Sequence, residues 1–146
     1  MALRFQETMA GTVATAEGPR EFLFTATASC GSALALLGWA PLHLEGTATL
    51  EGVVDGATLL PGSQLEIGPP LHRFLRYQVH FRDPRGNVYR FFGQKTVFVL
   101  RLRRTMTTLV GRLYRNGADV GEATLRFALR DLPQLIGSFR FAAAAA

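Results

Sequence analysis

The chain has 146 residues, a hydrophobic content of 48% and a formal net charge of +5 at neutral pH. This length is typical of a single domain, and no apolar run approaches the roughly 18 residues that a membrane-spanning helix needs. The single cysteine, Cys30, excludes an internal disulfide and favours a reducing compartment, and the N-terminal residues lack the layout of a signal peptide. We therefore expect one cytoplasmic domain over residues 1–141, with alanines 142–146 outside the fold.

The chain begins with two stretches in which apolar and polar residues alternate. Residues 3–13 place their apolar side chains on one face, and Glu7 is the exception because it also falls on that face. Residues 21–29 alternate in the same way after a turn at Gly18-Pro19. Such alternation predicts β-strands with one buried face. Because a buried carboxylate is costly without a partner, Glu7 is a candidate site residue.

The next segment changes its pattern and then returns to alternation. Residues 29–38 combine a capping serine, helix-forming residues and a terminal glycine, which predicts a short helix. Alternation resumes over residues 43–54, and residues 57–67 are a further predicted strand region. The second of these stretches is interrupted by Pro61-Gly62, which predicts an edge, a bulge or a tight bend.

Residues 71–95 are the most clearly patterned part of the chain, because two alternating runs flank a cluster of turn-forming residues at 83–87. A loop of odd length predicts these cross-strand pairs: Phe81 with Tyr89, Val79 with Phe91, Tyr77 with Gly93, and Leu75 with Lys95. The inner face is then aromatic and aliphatic, and it ends at Lys95, the only lysine in the chain.

The outer face of this hairpin interleaves arginines with aromatic side chains: Phe74, Arg76, His80, Arg82, Arg90 and Phe92. Arginine and aromatic residues are enriched in protein interfaces, and they also form stacking platforms for nucleic acids. We favour an interface with a second copy of the chain or with a protein partner, through Phe74, Arg76, Arg90 and Phe92, over nucleic-acid binding.

Two alternating segments, 105–114 and 118–129, predict a final hairpin around Asn116-Gly117. Their apolar faces meet only if the loop has odd length, so we expect a three-residue loop with Gly117 at positive φ. Residues 131–136 predict a second short helix. The strand tally predicts an all-β fold, an antiparallel β-barrel of about eight strands with one or two short helices.

Several short motifs are spread over most of the chain: Phe5–Gly11, Glu45–Glu51, Arg76-Tyr77 with Phe81 and Asp83, Gly93–Lys95, Thr107–Leu109 and Leu132–Arg140. Together they resemble a β-rich module associated with bacterial cholesterol-oxidase-like flavoproteins and α/β-hydrolase-like proteins. The chain has neither a G-x-G-x-x-G flavin fingerprint nor a G-x-S-x-G elbow. The resemblance therefore implies handling of a lipid- or sterol-like molecule, or docking to an enzyme that handles one. In architecture the predicted fold also resembles calycins and allene-oxide-cyclase-type barrels.

Few residues have the spacing that catalysis or metal binding requires. His43, His72 and His80 are dispersed, and no Cys/His cluster has the spacing of metal ligands, so we expect neither a metal nor a cofactor. Glu7 and Lys95 both fall on apolar faces, and we expect them to pair across the barrel interior. This pair is either a structural ion pair or a polar anchor for a ligand.

The leading functional hypothesis is binding of a small apolar, lipid- or sterol-like ligand inside the barrel. Its candidate binding residues are Glu7, Tyr77, Tyr89, Phe91 and Lys95, with a further hydroxyl from Tyr114. One alternative is a cofactor-free isomerase or cyclase that uses Glu7, Lys95 or a tyrosine as its acid or base. Another is a non-catalytic partner module of an oxidoreductase. A filled interior favours the partner module, whereas an open cavity lined by Tyr77, Phe91 and Lys95 favours binding or catalysis.

Overall fold

The computed structural model describes residues 3–30, 41–68, 74–96 and 108–127. Within these ranges the chain forms β-strands and no helix. The strands are β1 (Leu3–Thr15), β2 (Gly18–Cys30), β3 (Leu42–Leu50), β4 (Val54–Thr58), β5 (Gln64–Ile67), β6 (Phe74–Arg82), β7 (Val88–Thr96), β8 (Thr108–Arg115) and β9 (Ala118–Phe127). The predicted all-β class is confirmed for this part of the chain.

The strands form a closed antiparallel barrel. Their order is β2-β1-β9-β8-β7-β6-β5-β3-β4, and an additional pairing of β2 with β3 closes the ring. Because β4 and β5 pair with different parts of β3, they share one position, and the barrel has eight positions in all. This confirms the predicted eight-stranded antiparallel barrel, an architecture consistent with that of calycin-type barrels.

Glycines allow neighbouring strands of the barrel to approach closely, as strand curvature requires. A Cβ atom on Gly11 of β1 would lie 1.9 Å from the carbonyl oxygen of Thr124 in β9. A Cβ atom on Gly46 of β3 would lie equally close, 1.9 Å, to the carbonyl oxygen of Thr25 in β2. Any larger residue at either position would force the paired backbones apart.

Aromatic side chains fill the middle of the barrel. The ring centroid of Phe22 lies 5.8 Å from that of Phe81 and 5.6 Å from that of Phe91. All three side chains are buried, as are Phe24 and Tyr77. Each such aromatic pair contributes about 0.5–1.5 kcal/mol beyond its area burial. The aromatic part of the core is therefore built from inward residues of β2, β6 and β7, as the alternating pattern predicts.

The central hairpin has the predicted register throughout. Phe81 lies opposite Tyr89, Tyr77 opposite Gly93, and Leu75 opposite Lys95. Its loop is fixed by Asp83, whose carboxylate accepts hydrogen bonds from the backbone of Arg85 and from both the side chain and the backbone of Asn87. These hydrogen bonds, that of the Asn87 side chain first, lower the pKa of Asp83 below its usual value.

The last hairpin has a different loop from the predicted one. Arg115 lies opposite Ala118, so the loop has two residues, and Asn116 and Gly117 both adopt positive φ. These are the dihedral signs of a type I′ turn, and the prediction of a three-residue loop is wrong. A register shift at Val120 places one extra residue in β9, and this bulge restores the expected contact between the apolar faces.

Two further boundaries differ from the sequence prediction. Ser29, the expected helix cap, belongs to β2 and lies opposite His43. The alternation expected over 43–54 ends at Leu50, where a turn leads into β4. Residues 31–38 and 131–136, where the helices are predicted, lie outside the described ranges, apart from the beginning of the first at Ser29 and Cys30.

Candidate functional site

A carboxylate and a phenol hydroxyl are joined inside the barrel. The hydroxyl of Tyr77 donates a hydrogen bond of 2.7 Å to Oε2 of Glu7. Glu7 is 1% exposed and Tyr77 is fully buried. Because β1 and β6 are not neighbours in the sheet, this bond crosses the barrel interior. Glu7 is therefore on the buried face, as predicted, and the partner that the structure places beside it is Tyr77.

Burial and the neighbouring carboxylate act on Tyr77 in the same direction. Removal of the hydroxyl from water comes first, followed by the charge of Glu7 and the hydrogen bond to it, and together they raise the pKa of Tyr77 well above its ordinary value. Tyr77 therefore stays a neutral hydrogen-bond donor at physiological pH. A ligand can touch this pair only if the side chains that cover it move.

Lys95 has the backbone position that the sequence predicts, opposite Leu75 in the central hairpin. Its side chain lies outside the part of the chain that the structure describes. The predicted pairing of Lys95 with Glu7 therefore stays a prediction. The side chain of Cys30 and the whole of His72 also lie outside that part.

A cleft of about 290 Å³ opens at the end of the barrel where β1 turns into β2, β3 into β4, and β8 into β9. We call it the turn-end cleft. Tyr89 lines it and is only 4% exposed, and its ring stacks on Phe81 with a centroid distance of 5.3 Å and an interplanar angle of 7°. Tyr89 lies opposite Phe81, four residues along β6 from Tyr77. This spacing corresponds to about 13 Å, so Tyr77 and Tyr89 do not form one site.

Two arginines line the turn-end cleft because of their positions along the strands. Arg20 lies opposite the buried Val13, and Arg115 lies opposite Tyr89. Arg20 is two residues before Phe22, the first core residue of β2. Arg115 is two residues after Leu113, the last core residue of β8. Alternation therefore places both arginines on the inner face, at the point where their strands leave the core.

The charges at the cleft are unevenly balanced. Glu17 forms an ion pair with Arg20, and Asp119 forms one with Arg112 over 2.8 Å. Within the described ranges Arg115 has no ion pair and is exposed. Both acidic residues that line the cleft are thus engaged, and Arg115 leaves one uncompensated positive charge at its edge.

The outer face of the central hairpin has the predicted character. Phe92 is 41% exposed, and its ring lies 6.0 Å from that of His80 and 5.9 Å from that of Tyr114. The guanidinium of Arg76 lies 4.7 Å from the centre of the Phe74 ring. Tyr114 therefore belongs to this outer face, and the expectation that it adds a hydroxyl to the interior is wrong.

Comparison of the chain with known protein families, with curated proteins and with solved structures found no match. The likeness to the module of cholesterol-oxidase-like flavoproteins therefore rests on its short motifs alone. In the described ranges, no three His, Cys, Asp or Glu side chains converge as metal ligands would. The same ranges contain no helix of the length and hydrophobicity that crossing a membrane requires.

Proposed function

We propose that the protein binds a small, mainly apolar molecule in the turn-end cleft. The observation that carries this proposal is the preformed concavity of about 290 Å³ over the buried ring of Tyr89. Small-molecule sites begin at about 300 Å³, and the mouths of β-barrels are among their usual places. A volume at this lower limit favours a ligand of one or two rings over a sterol or a long lipid chain.

The interior is filled around Tyr77 and Phe91, which is the arrangement that favours a partner module over binding or catalysis at the centre of the barrel. It leaves the turn-end cleft as the place for a small ligand. Tyr77 and Phe91 expose no surface, and Glu7 exposes almost none, so a ligand there would have to displace packed aromatic rings. Cofactor-free acid–base chemistry by Glu7 and Lys95, the alternative hypothesis, would need the same displacement. Binding in the turn-end cleft requires no such rearrangement.

The proposal can be tested by titrating ¹⁵N-labelled protein with naphthalene-2-carboxamide, a neutral two-ring probe. We expect the largest amide shifts in the turns around the cleft and at Tyr89. Val53 lines the cleft, so Val53→Phe should fill it and weaken binding about tenfold or more. Val110→Phe is the matched control, because Val110 is 46% exposed and does not line the cleft. Shifts centred on residues of the interior would contradict the proposal, as would failure of both this probe and its carboxylate analogue to bind.

A second candidate function is self-association through the outer face of the central hairpin. It is favoured by Phe92 on this face and by Val110 on the neighbouring strand β8, the large apolar residues that are exposed in the described part of the chain. If this face joins two copies, replacing Phe74 and Phe92 together with serine should shift the sedimentation coefficient toward the monomer. A double variant that keeps the wild-type mass, or that unfolds, would contradict this assignment.

A further inference from the structure

We infer that the turn-end cleft selects small aromatic carboxylates over neutral molecules of the same shape. This inference rests on the proposed function and adds the chemical class of the ligand. It depends on three properties of the cleft, namely an apolar inner surface, a positive charge without a carboxylate partner, and a hydroxyl that is free to donate.

The inner surface of the cleft is apolar. Leu50 is 2% exposed and Tyr89 is 4% exposed, and both also belong to the hydrophobic core. Val53 and Val120 pack against the same core and line the cleft beside them. A flat ring can therefore replace water over these side chains, and this burial of apolar surface is the main favourable term for any ligand.

The positive charge comes from Arg115. Glu17 is engaged by Arg20, and Asp119 by Arg112, so neither carboxylate serves Arg115. A guanidinium presents a planar fork of donors that matches a carboxylate, and such charge-assisted hydrogen bonds are about twice as strong as neutral ones. A cationic ligand would be repelled at this position.

Arg20 provides a second donor group whose position is already fixed. Its Nη1 donates to the backbone carbonyl of Glu51 over 3.2 Å, and its ion pair with Glu17 holds the other end of the guanidinium. The Glu17 side chain is 76% exposed, and such an ion pair contributes little to stability. A ligand carboxylate can therefore displace Glu17 from Arg20 at small cost.

The third property is the hydroxyl of Tyr89. In the described ranges it takes part in no hydrogen bond, although the residue is almost fully buried and lines the cleft. Because Arg115 lies opposite Tyr89 across the β7–β8 pair, one ligand can reach both residues. A carboxylate accepts from both the guanidinium and the phenol, whereas a carboxamide of the same size has only one strong acceptor.

The test compares naphthalene-2-carboxylate with naphthalene-2-carboxamide, which differ in charge and not in shape. Dissociation constants from ¹⁵N amide shifts should show the carboxylate binding about tenfold more tightly at low salt, as expected for a charged hydrogen bond. The ratio should decrease as salt is added, because Arg115 is exposed.

Arg115→Gln should remove most of the preference for the carboxylate, while Arg20 and the Tyr89 hydroxyl, which also line the cleft, retain a small remainder. Arg126→Gln is the matched control, since it removes the same charge from an exposed position of β9 that does not line the cleft, and it should keep the ratio. Equal binding of the two probes to the wild-type protein, or an equal loss of preference in both variants, would overturn the inference and leave the proposed function intact. Failure of both probes to bind would overturn the proposed function as well.

Discussion

Two tyrosines on the inner face of the same hairpin have opposite environments. Tyr77 is fully buried, and its hydroxyl is engaged by Glu7. Tyr89 stacks on Phe81, lines the turn-end cleft, and lies opposite Arg115. The difference follows from position along the barrel, because Tyr77 lies among aromatic core residues and Tyr89 lies where the strands end.

The same alternating pattern thus places two tyrosine hydroxyls in different environments. In the middle of the barrel a hydroxyl must have a protein partner, since burial without one costs free energy. At the end of the barrel the same hydroxyl can be reached by solvent or by a ligand. We therefore infer that Tyr77 stabilises the fold, and Tyr89 is the tyrosine that we propose for ligand binding.

The largest expected effect concerns the charge of the interior. If Lys95 pairs with Glu7, Lys95→Met should lower the free energy of unfolding by about 3–5 kcal/mol, because a buried carboxylate would lose its compensating charge. Glu7→Gln combined with Lys95→Met should recover much of this loss. Urea denaturation of the two single variants and the double variant gives the comparison. Small, additive effects of the single variants would show that the two residues are not coupled.

The two tyrosines should differ when each loses only its hydroxyl. Tyr77→Phe should lower the free energy of unfolding by about 2–3 kcal/mol, because the buried Glu7 carboxylate would lose the hydrogen bond that the Tyr77 hydroxyl donates to it. Tyr89→Phe should change the free energy of unfolding by less than about 0.5 kcal/mol, as is usual for a group that solvent can reach. Equal decreases in the free energy of unfolding of the two variants, measured by urea denaturation, would show that the two hydroxyls do not differ in their environments.

Alkaline pH should act on the interior through Tyr77. Its pKa is raised in the folded protein above its unfolded value of about 10, so the folded state retains a proton that the unfolded state releases. The stabilisation is complete below about pH 10 and is lost as pH rises further, with a slope of at most about 1.4 kcal/mol per pH unit. Tyr77→Phe should flatten this part of a urea stability profile. An identical alkaline slope in Tyr77→Phe would contradict the assignment.

The smallest expected effect comes from the outside of the barrel, at acid pH. Partial burial of His80, and then the charge of Arg90 opposite it, lower the pKa of the imidazole in the folded state. The unfolded state therefore binds the proton more readily, and stability should decrease as pH falls below about 6.5 toward the lowered pKa. Arg90→Gln should reduce this decrease. A stability profile that is flat over this range in the wild-type protein would show that His80 does not titrate differently on folding.

The sequence was sufficient for the central hairpin because the alternation on both sides of its loop allows only one register. Alternation was not sufficient to predict the loop of the last hairpin. A two-residue loop alone would set the apolar faces of β8 and β9 out of register, and the bulge at Val120 restores their contact. The same reasoning found the buried position of Glu7 but not its hydrogen-bond donor. A charged residue suggests a partner of opposite charge, whereas the alternation places Tyr77 among the apolar residues of the inner face.

The turn-end cleft does not follow from the sequence, for a related reason. Tyr89 is a predicted ligand-binding residue, whereas Arg20 and Arg115 are not among the predicted site residues. The alternating pattern does indicate their orientation, since each arginine lies two residues from a core residue and therefore on the inner face. Recognising the site also required the closure of the barrel, which brings β2, β7 and β8 together at one end and cannot be read from any single strand.

The most direct measurement of where the ligand binds is a set of intermolecular nuclear Overhauser effects between naphthalene-2-carboxylate and the methyl groups of the protein. Val53 and Val120 line the turn-end cleft, whereas Val79 and Leu75 lie in the fully buried interior. We predict contacts from the ligand protons to the methyl groups of the first pair and none to those of the second. Contacts to Val79 and Leu75 without contacts to Val53 and Val120 would place the ligand in the interior beside Tyr77 and would contradict the account.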